Sequence, residues 1–210
     1  MARLPRLFVV TDDEASWSRG RPVLVTLGRM LAGSPPEGVA ILVRMKGAPV
    51  EVVAQRCEAV HVIARPRGIA VWIHTHVDLV ARCGLDGAWL DGGDDVGAAR
   101  AVLSPGALLG ASRHAGDALD DPRLDCAMLS PIFPPTSKPD DVRPPLGLSG
   151  LRAAASSTQT PLFALGGIQA GNVADVIAAG AAGISVLGSI MAAGDPRAAL
   201  HELLAAWQPS

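Results

Sequence analysis

The chain has 210 residues, with 18 basic and 20 acidic side chains and a formal charge of -2. Its isoelectric point is near 6.2, which argues against nucleic acid or an anionic membrane as partner. Hydrophobic residues make up 49% and charged ones 18%, with a mean hydropathy of +0.32, and that balance argues against disorder.

Cys57, Cys83 and Cys126 form neither a CxxC pair nor a disulfide framework, so they read as reduced thiols packed like small hydrophobes. No apolar run reaches the length of a membrane span, and the charged residues near the start spoil a signal peptide. A cytoplasmic protein is expected. With 3% aromatic residues and no Tyr, small aliphatics are expected to fill the core.

In chain order, short apolar runs recur at Leu7 to Val10, Val39 to Val43, Ala70 to Ile73 and Gly87 to Leu90. They return at Leu108 to Ala111, Cys126 to Leu129, Leu162 to Leu165 and Gly183 to Leu187. Continuous apolar runs fit strands covered on both faces, as in a parallel sheet. Between them, Arg21 to Ala32, Val50 to Val60, Asp78 to Cys83 and Asp95 to Leu103 are expected helices. Ala115 to Leu119, Leu148 to Ser156, Asn172 to Ala179 and Asp195 to Trp207 complete the helices. Asn172 and Asp195 are expected N-caps, Pro196 suits a first turn, and Gly180 a stop.

Strand and helix alternate without a linker or composition shift, so residues 1–210 read as one α/β domain. About eight units in this length fit a single (β/α)8 TIM barrel. No GxGxxG follows the first strand to support a doubly wound sheet.

In such a barrel the residues just after each strand build the site. Gly166 and Gly167 after strand seven, with Gly188 and Ser189 after strand eight, offer backbone N–H groups to a phosphate. Arg44 and Lys46 stand two apart after strand two and suit a second anion such as a diphosphate. His114, in Ser112-Arg113-His114, is the best placed general acid/base. Ser130 to Lys138 form a proline-stiffened loop with hydroxyls and one lysine. His74 and His76 lack a third metal ligand, and His61 and His201 fall within helical patterns.

Residues in this order resemble the thiamin phosphate synthase/TenI family. The likeness runs from LFVVTD at Leu7 to the helix after Asp195, and is strongest in GASRH, SPIFPPTSK, PLFALGGI and AGAAGISVLGSI. The resemblance implies a (β/α)8 barrel and a small phosphorylated thiazole substrate, with a homo-oligomer left open. In the synthase, a thiazole phosphate is joined to hydroxymethylpyrimidine diphosphate with Mg²⁺, and diphosphate is lost.

By that likeness Arg44, Lys46, His74, Thr75, Ser112, Ser137 and Lys138 contact substrate, and Gly167 binds phosphate. Asp94 is a metal ligand only if the chain is a synthase. Leu42 replaces the family's Gln, His74-Thr75 its Asn-Asp pair, and Pro135 a threonine, while Gly188 stands where serine is frequent. The losses fall on the pyrimidine-diphosphate half and on the Mg²⁺ carboxylate. The leading expectation is therefore a TenI-like thiazole tautomerase with His114 shuttling the proton and no cofactor. An active synthase using Mg²⁺ is the alternative, and a catalytically silent phosphate-binding barrel the second alternative.

Overall fold

The computed structural model describes residues 3–33, 37–134 and 143–207. Its elements run β1 (Leu7–Val10), α1 (Asp13–Trp17), α2 (Val23–Met30), β2 (Val39–Val43), α3 (Val50–Ala64) and a 3-10 turn (Arg65–Arg67). Next come β3 (Ala70–His74), α4 (Leu79–Cys83), β4 (Gly87–Leu90), α5 (Val96–Val102), β5 (Leu108–Arg113) and β6 (Cys126–Leu129). The chain continues through α6 (Gly147–Ser156), β7 (Leu162–Leu165), α7 (Ala170–Ala178), β8 (Gly183–Val186), α8 (Gly188–Met191) and α9 (Pro196–Ala205). All eight strands pair in parallel and in sequence order, and β8 closes on β1 to make a barrel. The expected TIM barrel is the observed fold.

Two cores result, one on each side of the sheet. Strand residues facing outward, such as Val9, Ile41, Ile73 and Ile184, pack with the helices in one aliphatic layer. The helices present matching stripes: α2 buries Val23, Thr26, Leu27 and Met30, the spacing of one helical face. This layer matches the aliphatic expectation.

The barrel interior does not. Four rings, Phe8, Trp72, Trp89 and Phe163, dominate it, with Val10, Ala40, Leu42, Cys126 and Met128 around them. Phe8 sits at the centre, edge-on to the other three rings at 5.0 to 5.3 Å, the geometry that aromatic quadrupoles favour. Room for these rings comes from glycine in register beside each: Trp72 pairs with Gly87, Trp89 with Gly110 and Phe163 with Gly183. A Cβ at Gly110 would stand 2.3 Å from the Trp89 ring, and one at Gly183 2.2 Å from Phe163. Scarce aromatics are concentrated inside the barrel.

Three helical expectations change. Ala115 to Leu119 is a turn, because Asp117 Oδ2 accepts from the His114 N–H at 2.7 Å and the Asp117 N–H returns to the His114 carbonyl at 3.2 Å. Asn172 is the third residue of α7, where its Oδ1 accepts from the Gln169 N–H at 2.9 Å as half of a reciprocal cap. The segment after β8 is the four-residue α8 rather than a loop. Asp195 caps α9 as expected, accepting from the Arg197 and Ala198 N–H groups at 3.0 Å. All three cysteines are free and buried. Burial pushes the Cys57 thiol up to about 12 and that of Cys126 well above the ordinary range, so neither carries thiolate chemistry. Among the described residues no helix is long and apolar enough to cross a membrane.

Candidate active site

The strand ends converge on a cavity of about 160 Å³ at the C-terminal mouth of the barrel. Its floor is apolar, formed by Val10, Leu42, Met128, Leu165 and Leu187 above the Trp89 ring. Its walls bring together five expected residues: Arg44 and Lys46 after β2, His74 ending β3, and Ser112 and His114 of β5 and its exit. Asp91, Ser130 and Arg143 complete the lining. An apolar floor under a cationic wall suits a flat ring that carries an anionic arm.

Arg44 and Ser112 are held from behind. Thr11 is buried and its Oγ1 accepts from the Arg44 N–H at 3.0 Å, and Asp12 Oδ2 pairs with Arg44 Nη1 at 3.4 Å. The Trp89 Nε1–H donates to Ser112 Oγ at 3.2 Å, which leaves the serine hydroxyl hydrogen for the cavity.

The His114 tautomer follows from its partner. Nδ1 lies 2.8 Å from the Ser130 carbonyl, which only accepts, so Nδ1 carries the proton of the neutral ring. The lone pair is then on Nε2. Arg143 Nη1 donates to that lone pair at 2.8 Å; it also lies 3.0 Å from Nδ1, where the ring proton leaves nothing to accept.

His74 has the opposite tautomer. Its Nε2 meets Asp91 Oδ1 at 3.1 Å, and a carboxylate only accepts, so Nε2 carries the proton and Nδ1 the lone pair. The side chain is 10% exposed. Burial lowers its pKa, Arg44 and Lys46 add to that, and Asp91 opposes it.

Other expected residues lie elsewhere. Thr75 does not line the cavity; it takes a positive φ of 68°, an outlier for a β-branched residue, and its hydroxyl turns back to the His74 carbonyl at 2.7 Å. Asp94 also lies outside the lining, its Oδ2 accepting from the Asp91 N–H at 2.8 Å. Gly166 and Gly167 take φ of 101° and 62° and let the loop from Pro131 to Pro134 close against them, where any Cβ would clash. Gly188 and Ser189 line a second depression of about 250 Å³ with Gln169, Ala170 and Glu202. Ser189 Oγ donates to the Ile168 carbonyl at 2.6 Å, tying the two loops together. The N–H groups of Gly167, Gly188 and Ser189 find no protein acceptor among the described residues. Ser137 and Lys138 lie outside the described residues.

The Mg²⁺ that a synthase implies meets a poor donor set. Hard divalent cations need several oxygen ligands, usually including carboxylates. Here His74 takes Asp91 Oδ1 and a backbone N–H takes Asp94 Oδ2, which leaves one oxygen on each carboxylate, and the Thr75 hydroxyl turns to a carbonyl. Among the described residues no group of three His, Cys, Asp or Glu side chains could hold a metal. These residues do not fit Mg²⁺.

A family model described as thiamine monophosphate synthase matches residues 7–190. The chain belongs to this family. It is 36% identical over 206 residues to a thiamine-phosphate synthase of Methanoculleus marisnigri, covering 94% of this chain and 92% of that protein. A thiamine-phosphate synthase of Chloroflexus aurantiacus is 35% identical over 204 residues, covering 95% and 91%. Among solved structures, the thiamine phosphate pyrophosphorylase of Pyrococcus furiosus superposes with a TM-score of 0.79 at 27% identity, covering 96% and 94%. Family membership places the chain in thiamine-phosphate metabolism with a small phosphorylated substrate, and these relatives favour transferase over isomerase chemistry.

Arg143, Asp91 and Trp89 are the lining residues that sequence reasoning left without a role. Asp91 directly follows β4, and that position marks it as a site residue without giving it a role. Trp89 is betrayed only by register, since it stands between His74 and Gly110. Arg143 precedes α6, far along the chain from the end of β6, and nothing local signals it.

Proposed function

We propose that this chain is a thiamine-phosphate synthase-type transferase. The thiazole nitrogen lone pair attacks the methylene carbon of hydroxymethylpyrimidine diphosphate, and the C–O bond to diphosphate breaks with its electron pair leaving on oxygen. The observation that carries this reading is that Arg44 and Lys46 line the same cavity as Ser112 and His114. An isomerase needs one anion anchor, whereas these cations stand apart from the glycine loops of β7 and β8 and suit a second, leaving anion. In this reading Arg44, Lys46 and the Ser112 hydroxyl hold diphosphate. The N–H groups of Gly167, Gly188 and Ser189, beside Gly166, receive the thiazole phosphate. For Ser137 and Lys138, outside the described residues, the reading rests on the family likeness alone.

His114 favours a second reading, thiazole tautomerisation. Coupling needs no base, yet His114 has a fixed tautomer with its Nε2 lone pair beside Arg143. Aromatisation needs only that base and one phosphate anchor.

One assay separates these readings. Thiazole phosphate and pyrimidine diphosphate are supplied together and diphosphate release is followed. Release that falls about a hundredfold in Arg44→Ala supports coupling. Conversion of the thiazole tautomer without diphosphate release, abolished in His114→Gln, supports the second reading and overturns the first. Thiazole phosphate binding with neither reaction would leave a silent barrel.

A further inference from the structure

His74 occupies a position that neither chemistry above explains. It ends β3 in register with Trp89, is 10% exposed, and turns into the cavity between two kinds of charge. Arg44 and Lys46 approach from the end of β2, Asp91 from the end of β4, and His114 and Arg143 line the far wall. Asp12 pairs with Arg44 behind the cationic wall. Burial and the two cations favour the neutral ring. An entering anion reverses that balance. It offsets the cations and presents acceptor oxygens, while Asp91 stays on Nε2–H to stabilise an imidazolium.

Among the described residues the oxygen groups that could bring a metal to the same place are few, and each is partly engaged. Asp94 holds the Asp91 N–H, the Thr75 hydroxyl donates to the His74 carbonyl, and Asp91 is the partner of His74 itself. Positive charge at this wall comes from side chains and a proton instead. We propose that the cavity binds a diphosphate-class anion without a divalent cation, on Arg44, Lys46 and a proton that His74 Nδ1 takes from solvent as the anion enters. The inference rests on the coupling reading, which supplies the diphosphate.

Inorganic pyrophosphate is the probe, titrated calorimetrically into the whole protein in EDTA and again in excess Mg²⁺. Two buffers of different ionisation heat count the protons taken up. Mg²⁺ complexes pyrophosphate in solution, so the expected apparent dissociation constant is no tighter in Mg²⁺ than in EDTA, and Arg44→Ala weakens binding in EDTA by about tenfold. Pyrophosphate titrates too, so the proton count is read as a difference between variants. Wild type takes up more protons per anion than His74→Gln, by about half a proton near neutrality. Its affinity rises more steeply as pH falls. Asp91→Asn, which keeps the imidazole but removes its carboxylate, lowers the count as well.

Binding that appears only with Mg²⁺, or equal proton uptake by wild type and His74→Gln, overturns the proposal. The two readings fail separately. Coupling that proceeds in Mg²⁺ and stops in EDTA refutes metal-free binding and leaves the transferase standing. Metal-free pyrophosphate binding in a protein that couples nothing refutes the transferase and leaves this inference standing.

Discussion

At the scale of single residues, the cavity depends on two imidazoles locked in opposite tautomers. Ser130 fixes a proton on His114 Nδ1, and Asp91 fixes one on His74 Nε2. If proton transfer is the chemistry, His114→Gln costs about a hundredfold or more in turnover with little change in KM, because a positioned base acts in the transition state. Steady-state kinetics of the tautomer conversion checks this. His74 also makes a stability prediction. Its pKa is lowered in the folded protein, so the unfolded chain binds the proton more readily. Stability is therefore full above the ordinary histidine value of about 6.5 and declines as pH falls from there towards the folded value. Urea midpoints measured through that window should fall less in His74→Gln than in wild type.

Elements of the barrel set where those residues can be. A ring beside a glycine on each of three strand pairs leaves no slack inside. Gly110→Ala is expected to destabilise by about 1–3 kcal/mol through overpacking against Trp89. Adding Trp89→Leu recovers part of that loss, a non-additivity that denaturant titration of the double mutant reads directly. Ser185 faces the same interior with a buried hydroxyl that has no partner among the described residues, so Ser185→Ala is expected to be neutral or stabilising by about 1 kcal/mol.

This layer was the least legible part of the sequence. Strands buried on both faces read as unbroken apolar runs, so Leu7 to Val10 revealed a strand but not which side Phe8 faces. Composition averaged over the chain then hid four rings gathered in one place. Long helices with caps, such as α9 behind Asp195, were legible because the cap chemistry is local. The short α1 and α8 carry too few turns to show a period. In the site, residues directly after strands were readable from position, as Arg44, Lys46, His74, Ser112 and His114 illustrate. Thr75 and Asp94 lie outside the cavity lining because one residue of turn conformation decides whether a side chain faces the cavity or the backbone.

For the whole molecule, the barrel gathers strand ends that are remote in sequence onto one mouth. The fold alone does not choose a reaction, since 3-hexulose-6-phosphate synthase shares it with a TM-score of 0.64 at 19% identity. What distinguishes this chain is the charge placed at that mouth, with two cations set apart from the glycine loops. The most direct test is to incubate the purified protein with thiazole phosphate and hydroxymethylpyrimidine diphosphate and quantify thiamine phosphate and diphosphate by mass spectrometry. The account predicts equimolar formation of both, lost in a folded Arg44→Met, Lys46→Met double variant. Absence of thiamine phosphate with folded wild-type protein that still binds both substrates would contradict it.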